Sequence, residues 1–382
     1  MRFFAIGNEL KQCSICGKKS KVISESISVC ADCLREYPDQ ALEKALKNHA
    51  ISRSKWKLPP QVPRDEMGIA CNNCSVKCKI PNGGKGYCGL IYNRDGKLTR
   101  LDGGPIYGVC EYYYDPLPCN CVAIWTCPGG SEKGYPKFSY RKGSEYGFFN
   151  LAVFYGACNL DCLFCQNWSY RGYASSLSPR VHYKELASKV HDKVSCICFF
   201  GGDPGPQVGH AIMTSREALN LARKRNRILR ICWETNGQVN PKIMNRMASL
   251  SLESGGIVKI DFKAWSNPVY KALTGVDLGY VKENILRVYE MGIERQEVPL
   301  LVVSVLLVPG YVDEYELRGI TSYLASIDRD IPVSFLAFHP DYVMNDIPPT
   351  SISHARMALN IAKESGLRNF KLMNTWLLGD YY

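Results

Sequence analysis

From residue 146 onward the chain alternates short apolar runs with amphipathic stretches, and this alternation limits its possible folds more than any other feature. The apolar runs lie at 148–155, 194–201, 228–234, 256–262, 300–308 and 333–338. They are nearly continuous in Val, Ile, Leu and Phe, the pattern of strands buried on both faces. Helical stretches fall between and after them, near 181–191, 214–225, 240–252, 279–292, 313–327 and 350–365. Such strands pair in parallel, because each helix supplies the crossover that a parallel neighbour needs. The six units predict an α/β fold, a partial (β/α)6 barrel over 146–382, in preference to a closed barrel of eight. In such folds the chemistry gathers at the C-terminal ends of the strands.

Just past the first strand end stands Cys158-Asn159-Leu160-Asp161-Cys162-Leu163-Phe164-Cys165, a C-x3-C-x2-C run. A four-iron cluster is usually held by four thiolates, so three on one loop leave an iron open to a small molecule. A zinc loop or three buried thiols is the competing reading. The later strand ends are polar as well. The second ends in Phe200-Gly201-Gly202-Asp203, where glycines permit close approach to a ligand and Asp203 can accept from an ammonium. The third ends in Glu234-Thr235-Asn236-Gly237, the fourth in Asp261-Phe262-Lys263, and the sixth in His339-Pro340-Asp341-Tyr342. Alone, each reads as a turn, a surface pair or a satisfied histidine. At successive strand ends they read as one site, in which Lys263 and His339 can neutralise a carboxylate.

Eighteen cysteines, mostly in CxxC-type groups behind an N-terminus without an apolar signal core, point to metal ligands in a reducing cytoplasm. In residues 1–50, Cys13-x2-Cys16 and Cys30-x2-Cys33 have zinc-ribbon spacing, with a rubredoxin-like iron site as the competitor, and a helical stretch spans 39–49. Residues 51–66, rich in proline and charge, read as a linker. The segment 67–145 is cysteine-rich and loop-like; its Cys71, Cys74, Cys78 and Cys88 suit zinc or an auxiliary iron–sulfur cluster. Cys110, Cys119, Cys121 and Cys127 have looser spacing, and a second metal or buried thiols both remain open. Tyr112, Tyr113 and Tyr114 read as packing against the barrel, and Cys196, Cys198 and Cys232, inside apolar strands, as core residues. The longest apolar run, 298–308, is too short to cross a bilayer, so no membrane role is expected. The net charge of +11 is spread along the chain, as on a solvated surface, and leaves room for an acidic partner.

The cysteine run and its setting resemble the radical SAM superfamily. That resemblance implies a [4Fe-4S] cluster on Cys158, Cys162 and Cys165, whose open iron binds S-adenosylmethionine (SAM). Reductive cleavage of SAM then gives methionine and a hydrogen-abstracting 5′-deoxyadenosyl radical. The strings CNLDCLFCQNW, FFGGDPGPQ, ETNG, DFK, YKALTG, LLVPGYVDEYEL and FHPDY resemble pyruvate formate-lyase activating enzymes. The strings FHPDYVMNDIPPTS and CNNCSVKCKIPNGGKGYCG resemble the AmmeMemoRadiSam group most closely. Phe164, Gly201, Gly202, Asp203, Glu234, Thr235, Asn236, Asp261, Lys263 and His339 are the positions this implies around SAM. Ser304 departs from the pattern, standing where activating enzymes place an arginine. The implied partners are a one-electron donor of ferredoxin or flavodoxin type and an unidentified substrate, a protein or small molecule. RNA modification, suggested by the ribbon and the charge, and a non-enzymatic electron carrier or scaffold are the alternatives.

Overall fold

The computed structural model describes residues 9–382. Residues 1–8, where the first expected module begins and where no signal core was expected, lie outside the described residues. The chain opens with a small hairpin, β1 (Lys11–Gln12) and β2 (Lys19–Ser20), followed by α1 (Ala31–Glu36) and α2 (Pro38–Lys55). Pro38 starts α2 at the position where a missing N–H costs nothing. The helix runs past the 39–49 stretch into the segment expected as linker, and its Ser52 and Arg53 are buried. The short strands β3 (Ile69–Ala70), β4 (Lys79–Ile80), β5 (Ile91–Arg94) and β6 (Lys97–Arg100) form two hairpins in the cysteine-rich segment.

The main sheet contains β7 (Tyr107–Pro116), β8 (Phe149–Tyr155), β9 (Arg180–His182), β10 (Val194–Gly201), β11 (Arg230–Thr235), β12 (Val258–Asp261), β13 (Leu301–Leu307), β14 (Val333–Ala337) and β15 (Phe370–Met373). Its order is β15-β14-β13-β12-β11-β10-β8-β7-β9, open at both edges. From β8 to β15 every neighbour is parallel, so the six expected strands are joined by a seventh, β15. β7 runs antiparallel beside β8 and leaves Tyr113 and Tyr114 about half-exposed, their rings against Phe200 and Phe149.

Helices cover the outer face: α3 (Tyr170–Ser176), α4 (Tyr183–Ser188), α5 (Val208–Lys224), α6 (Pro241–Ser254), α7 (Asn267–Thr274), α8 (Val281–Gly292), α9 (Glu314–Ile327) and α10 (Ile352–Glu364). Apolar strand residues pack beneath them; Trp233, fully buried, donates to the Met247 carbonyl of α6 at 3.0 Å. The ribbon docks at the C-terminal end of the strands. Tyr311 receives Ser24 N–H at 3.0 Å, Asp346 receives Ser24 Oγ at 2.8 Å, and Arg35 pairs with Asp313 at 2.7 Å. Among the described residues no helix is long and apolar enough to cross a membrane.

Candidate active site

β8 ends at Tyr155, and the cysteine loop leaves it pinned on three sides. Asp161 N–H bonds to the Thr274 carbonyl at 2.8 Å and Leu163 N–H to Leu273 at 3.1 Å, while the Leu163 carbonyl receives Met344 N–H at 2.9 Å. Gly202 explains why this loop can lie so close to β10. A Cβ there would stand 2.1 Å from the Ala157 carbonyl oxygen, and Gly201 has φ +103°. Gly202 thus admits the start of the cysteine loop, and Gly201, whose Cβ would meet Phe154 and Tyr155, admits the end of β8.

Cys158, Cys162 and Cys165 open onto one cavity of about 330 Å³ at the strand ends. Phe164, Gly201, Gly202, Asp203, Glu234, Thr235, Asn236, Asp261 and Lys263 line it with them. His339 lies outside that lining, 2.8 Å from Asp341 through Nδ1. Burial pushes all three thiols up, Cys162 to about 12, with Lys263 pulling Cys162 and Cys165 the other way. Ligation of a cationic iron would therefore displace protons from thiols that are otherwise neutral. Three soft donors facing one polar cavity fit a cluster with an open iron.

The polar residues brace one another. Asp203 accepts from Gly205 N–H at 2.7 Å, Thr235 Oγ1 at 3.0 Å and Asn236 N–H at 2.7 Å. A carboxylate has about four acceptor positions, so Asp203 keeps roughly one for a ligand. Burial raises its pKa to about 6. The Asn236 amide donates to Asn159 Oδ1 at 2.7 Å and lies 3.7 Å from the Cys158 sulfur. At the fourth strand, Lys259 Nζ sits 2.9 Å from Asp261 and 3.2 Å from Glu234, and Lys263 Nζ lies 3.2 Å from Asp261. Burial would raise the Asp261 pKa, but the two lysines outweigh it and hold the carboxyl below its usual range. Ser304 also donates to Asp261, so the serine in the arginine position serves this carboxylate.

Sequence reasoning missed several members of this site. Lys259 was hidden inside an apolar run. Asp161, within the motif, is fully buried; its Oδ1 receives Arg171 at 2.6 and 3.0 Å, and its Oδ2 lies 3.1 Å from His49 Nδ1 on α2. Arg171 also lies over the Tyr342 ring at 4.2 Å, and Tyr342 OH meets Ser52 Oγ at 2.7 Å. The first module is thereby bolted to the back of the cysteine loop.

The other cysteine groups differ from one another. Cys13, Cys16, Cys30 and Cys33 bring their sulfurs within 4.8 Å of one another, with Cys13–Cys33 at 3.7 Å and Cys16–Cys30 at 3.8 Å. Zn–S bonds of about 2.3 Å in a tetrahedron put sulfurs about 3.8 Å apart. Cys71, Cys74, Cys78 and Cys88 line a separate cavity, which Asn159 also borders. Burial pushes Cys74 up to about 12, while the Asn159 amide favours its thiolate. Asn159 therefore stands between that group and Cys158.

Residues 152–318 match the family model of the Radical SAM superfamily, and this segment of the chain is similar to enzymes of that superfamily. The superfamily implies a [4Fe-4S] cluster, SAM and radical chemistry. An uncharacterized protein of Methanocaldococcus jannaschii, MJ0808, is 27% identical over 313 residues, 80% of each chain. Among solved structures, a domain of pyruvate-formate lyase-activating enzyme from Bacteroides vulgatus is similar over 42% of this chain and 92% of its own, at 16% identity and a TM-score of 0.34. Streptococcus suis SuiB bound to S-adenosylmethionine is similar over 57% of this chain and 48% of its own, at 13% identity and a TM-score of 0.41.

Proposed function

We propose that this enzyme cleaves SAM reductively at a cluster held by Cys158, Cys162 and Cys165, and directs the resulting radical to hydrogen abstraction from a protein or small-molecule substrate. One observation carries the reading: three thiols at the end of β8 share a cavity with the polar ends of β10, β11 and β12. When bound, the cluster supplies the electron that breaks the sulfonium bond. The chain does the rest. Asp203 holds the β10 and β11 turns together and keeps an acceptor position for an ammonium. Glu234, Asp261, Lys259 and Lys263 form a charge-balanced wall suited to a carboxylate and ribose. Phe164, Leu160, Phe200, Phe262 and Leu306 supply apolar surface to the cavity lining.

Zinc in the ribbon and a metal at Cys71, Cys74, Cys78 and Cys88 belong to the same proposal, as does an external one-electron donor of ferredoxin or flavodoxin type. The narrower likeness to the AmmeMemoRadiSam group rests on the two strings quoted above. The test is anaerobic reconstitution, dithionite reduction and assay for 5′-deoxyadenosine. Product from the wild type and none from Cys162→Ala is expected; no product from either, or equal product from both, would refute the reading. An RNA substrate has the ribbon at the site mouth in its favour. It predicts binding that weakens steeply with salt.

A further inference from the structure

Six further thiols converge inside the barrel. On β10, Ile197 and Phe199 turn outward and are fully buried, while Cys196 and Cys198 turn inward and keep 7% and 8% exposure. On β11, Ile231 and Trp233 are likewise sealed, and Cys232 between them is only half-buried. The segment after β7 crosses the open side of the barrel, where Ser334 of β14 donates to the Val122 carbonyl at 2.8 Å and receives Trp125 Nε1 at 3.0 Å. This segment carries Cys119, Cys121 and Cys127 inward. All six cysteines line a single cavity.

Ordinary core thiols would not look like this. Barrel interiors are filled in layers by bulky branched side chains, and protein interiors leave few voids larger than a water. Here the interior positions carry sulfur around a void. Cys198 and Cys232 are directly opposed in the β10–β11 register, and Cys121 lines the same cavity. Arg230, Lys259 and Glu234 also line the cavity; the two cations there are paired with Glu145 and with Glu234 and Asp261. The spacing argues against a single ion, which needs its sulfurs about 4 Å apart on 2.3 Å bonds. Among the described residues, only the ribbon cysteines bring three or more such ligand atoms within 4.8 Å. Sulfurs spread around a void suit a multinuclear core.

We propose that this interior cavity is a second iron–sulfur site, ligated by Cys121, Cys198 and Cys232 with a fourth thiolate from Cys119, Cys127 or Cys196. It adjoins the SAM cavity, since Glu234 and Lys259 line both and Cys121 Sγ lies 3.3 Å from Glu234 Oε1. The site stands independently of the SAM reading, and its test removes the SAM-site ligands first. In a Cys158→Ala, Cys162→Ala, Cys165→Ala background, the full chain is isolated anaerobically and its iron, sulfide and zinc are counted. Adding Cys121→Ser and Cys232→Ser is expected to remove about four irons and the matching sulfide per chain, with zinc unchanged. Adding Cys110→Ser, a buried thiol outside the cavity, removes none. Unchanged iron, or loss of zinc in place of iron, overturns the proposal. Should the serine variant fail to fold, thiol alkylation of the stripped background protein before and after reconstitution decides it. Protection of Cys121 and Cys232 by iron and sulfide supports the site, and equal alkylation overturns it.

Discussion

Asp161 is the residue whose replacement tests most directly how the cysteine loop is held. Asp161→Asn keeps the volume and removes the charge, so it isolates the electrostatic part of the anchor. In the wild type the carboxylate is fully buried and takes two hydrogen bonds from Arg171 and one contact from His49, with Arg53 Nη1 at 3.9 Å. Burial alone would raise its pKa; the His49 bond and the two arginines reverse this and hold the carboxyl well below its usual range. The substitution strands Arg171, itself fully buried, without a counter-charge. Removing one partner of a buried pair costs about 3–5 kcal/mol, a large part of the roughly 5–15 kcal/mol that stabilises a folded domain. Thermal unfolding should drop by roughly 6–10 °C at about 2 °C per kcal/mol, and iron retention at the adjacent loop should fall with it. His49→Ala removes a weaker contact and should cost about 1 kcal/mol. Because the two residues share a carboxylate, the double variant should lose less than the sum. A loss within about 1 kcal/mol for Asp161→Asn would contradict the buried-pair magnitude and show that packing, not charge, holds the loop.

Two further outcomes follow from other parts of the structure. His210, buried with Nδ1 2.7 Å from Tyr155 OH, has its pKa lowered to about 4, by burial first and Arg100 second. The unfolded chain takes up that proton near pH 6.5 and the folded one only near 4, so this contribution is full above 6.5 and is lost on acidification, about 3 kcal/mol in all; His210→Asn should flatten the stability profile in that window, and an unchanged slope in urea titrations would refute it. In the ribbon, Cys16→Ser should release about one zinc per chain and expose the α1 region to protease, read by metal analysis and limited proteolysis; an undiminished zinc content would exclude the four-sulfur site.

The strands β8, β10, β11, β12, β13 and β14 were legible because each leaves a nearly unbroken apolar run, whereas the short, half-exposed β9 fell at the start of a stretch expected as helical. β15 was not legible: its four residues form a half-exposed edge, too short and too polar to stand out. β7 was hidden for the opposite reason, since its half-exposed tyrosines lie among Gly, Pro and Cys that read as loop. The extension of α2 escaped because Ser52, Arg53 and Lys55 look like linker, yet Arg53 is buried against Tyr87, 3.5 Å from its ring centroid.

Within the site, what could be read depended on where the polar residues fell. The strand ends interrupt apolar runs and so announced themselves, whereas Lys259 and the strand cysteines sit inside such runs. A usable signal was nonetheless present in the period of two. Glu234 and Asp261 were already expected to face the ligand, and residues two positions back on the same strands must share that face. On β11 that residue is Cys232, and on β12 it is Lys259. Counting back from Phe200, which lines the same cavity as Glu234, gives Cys198 and then Cys196. Alternation alone therefore places three thiols and a lysine inside the barrel beneath the SAM cavity. Only the path of the segment after β7, which carries Cys119, Cys121 and Cys127 across the open side, required the fold itself.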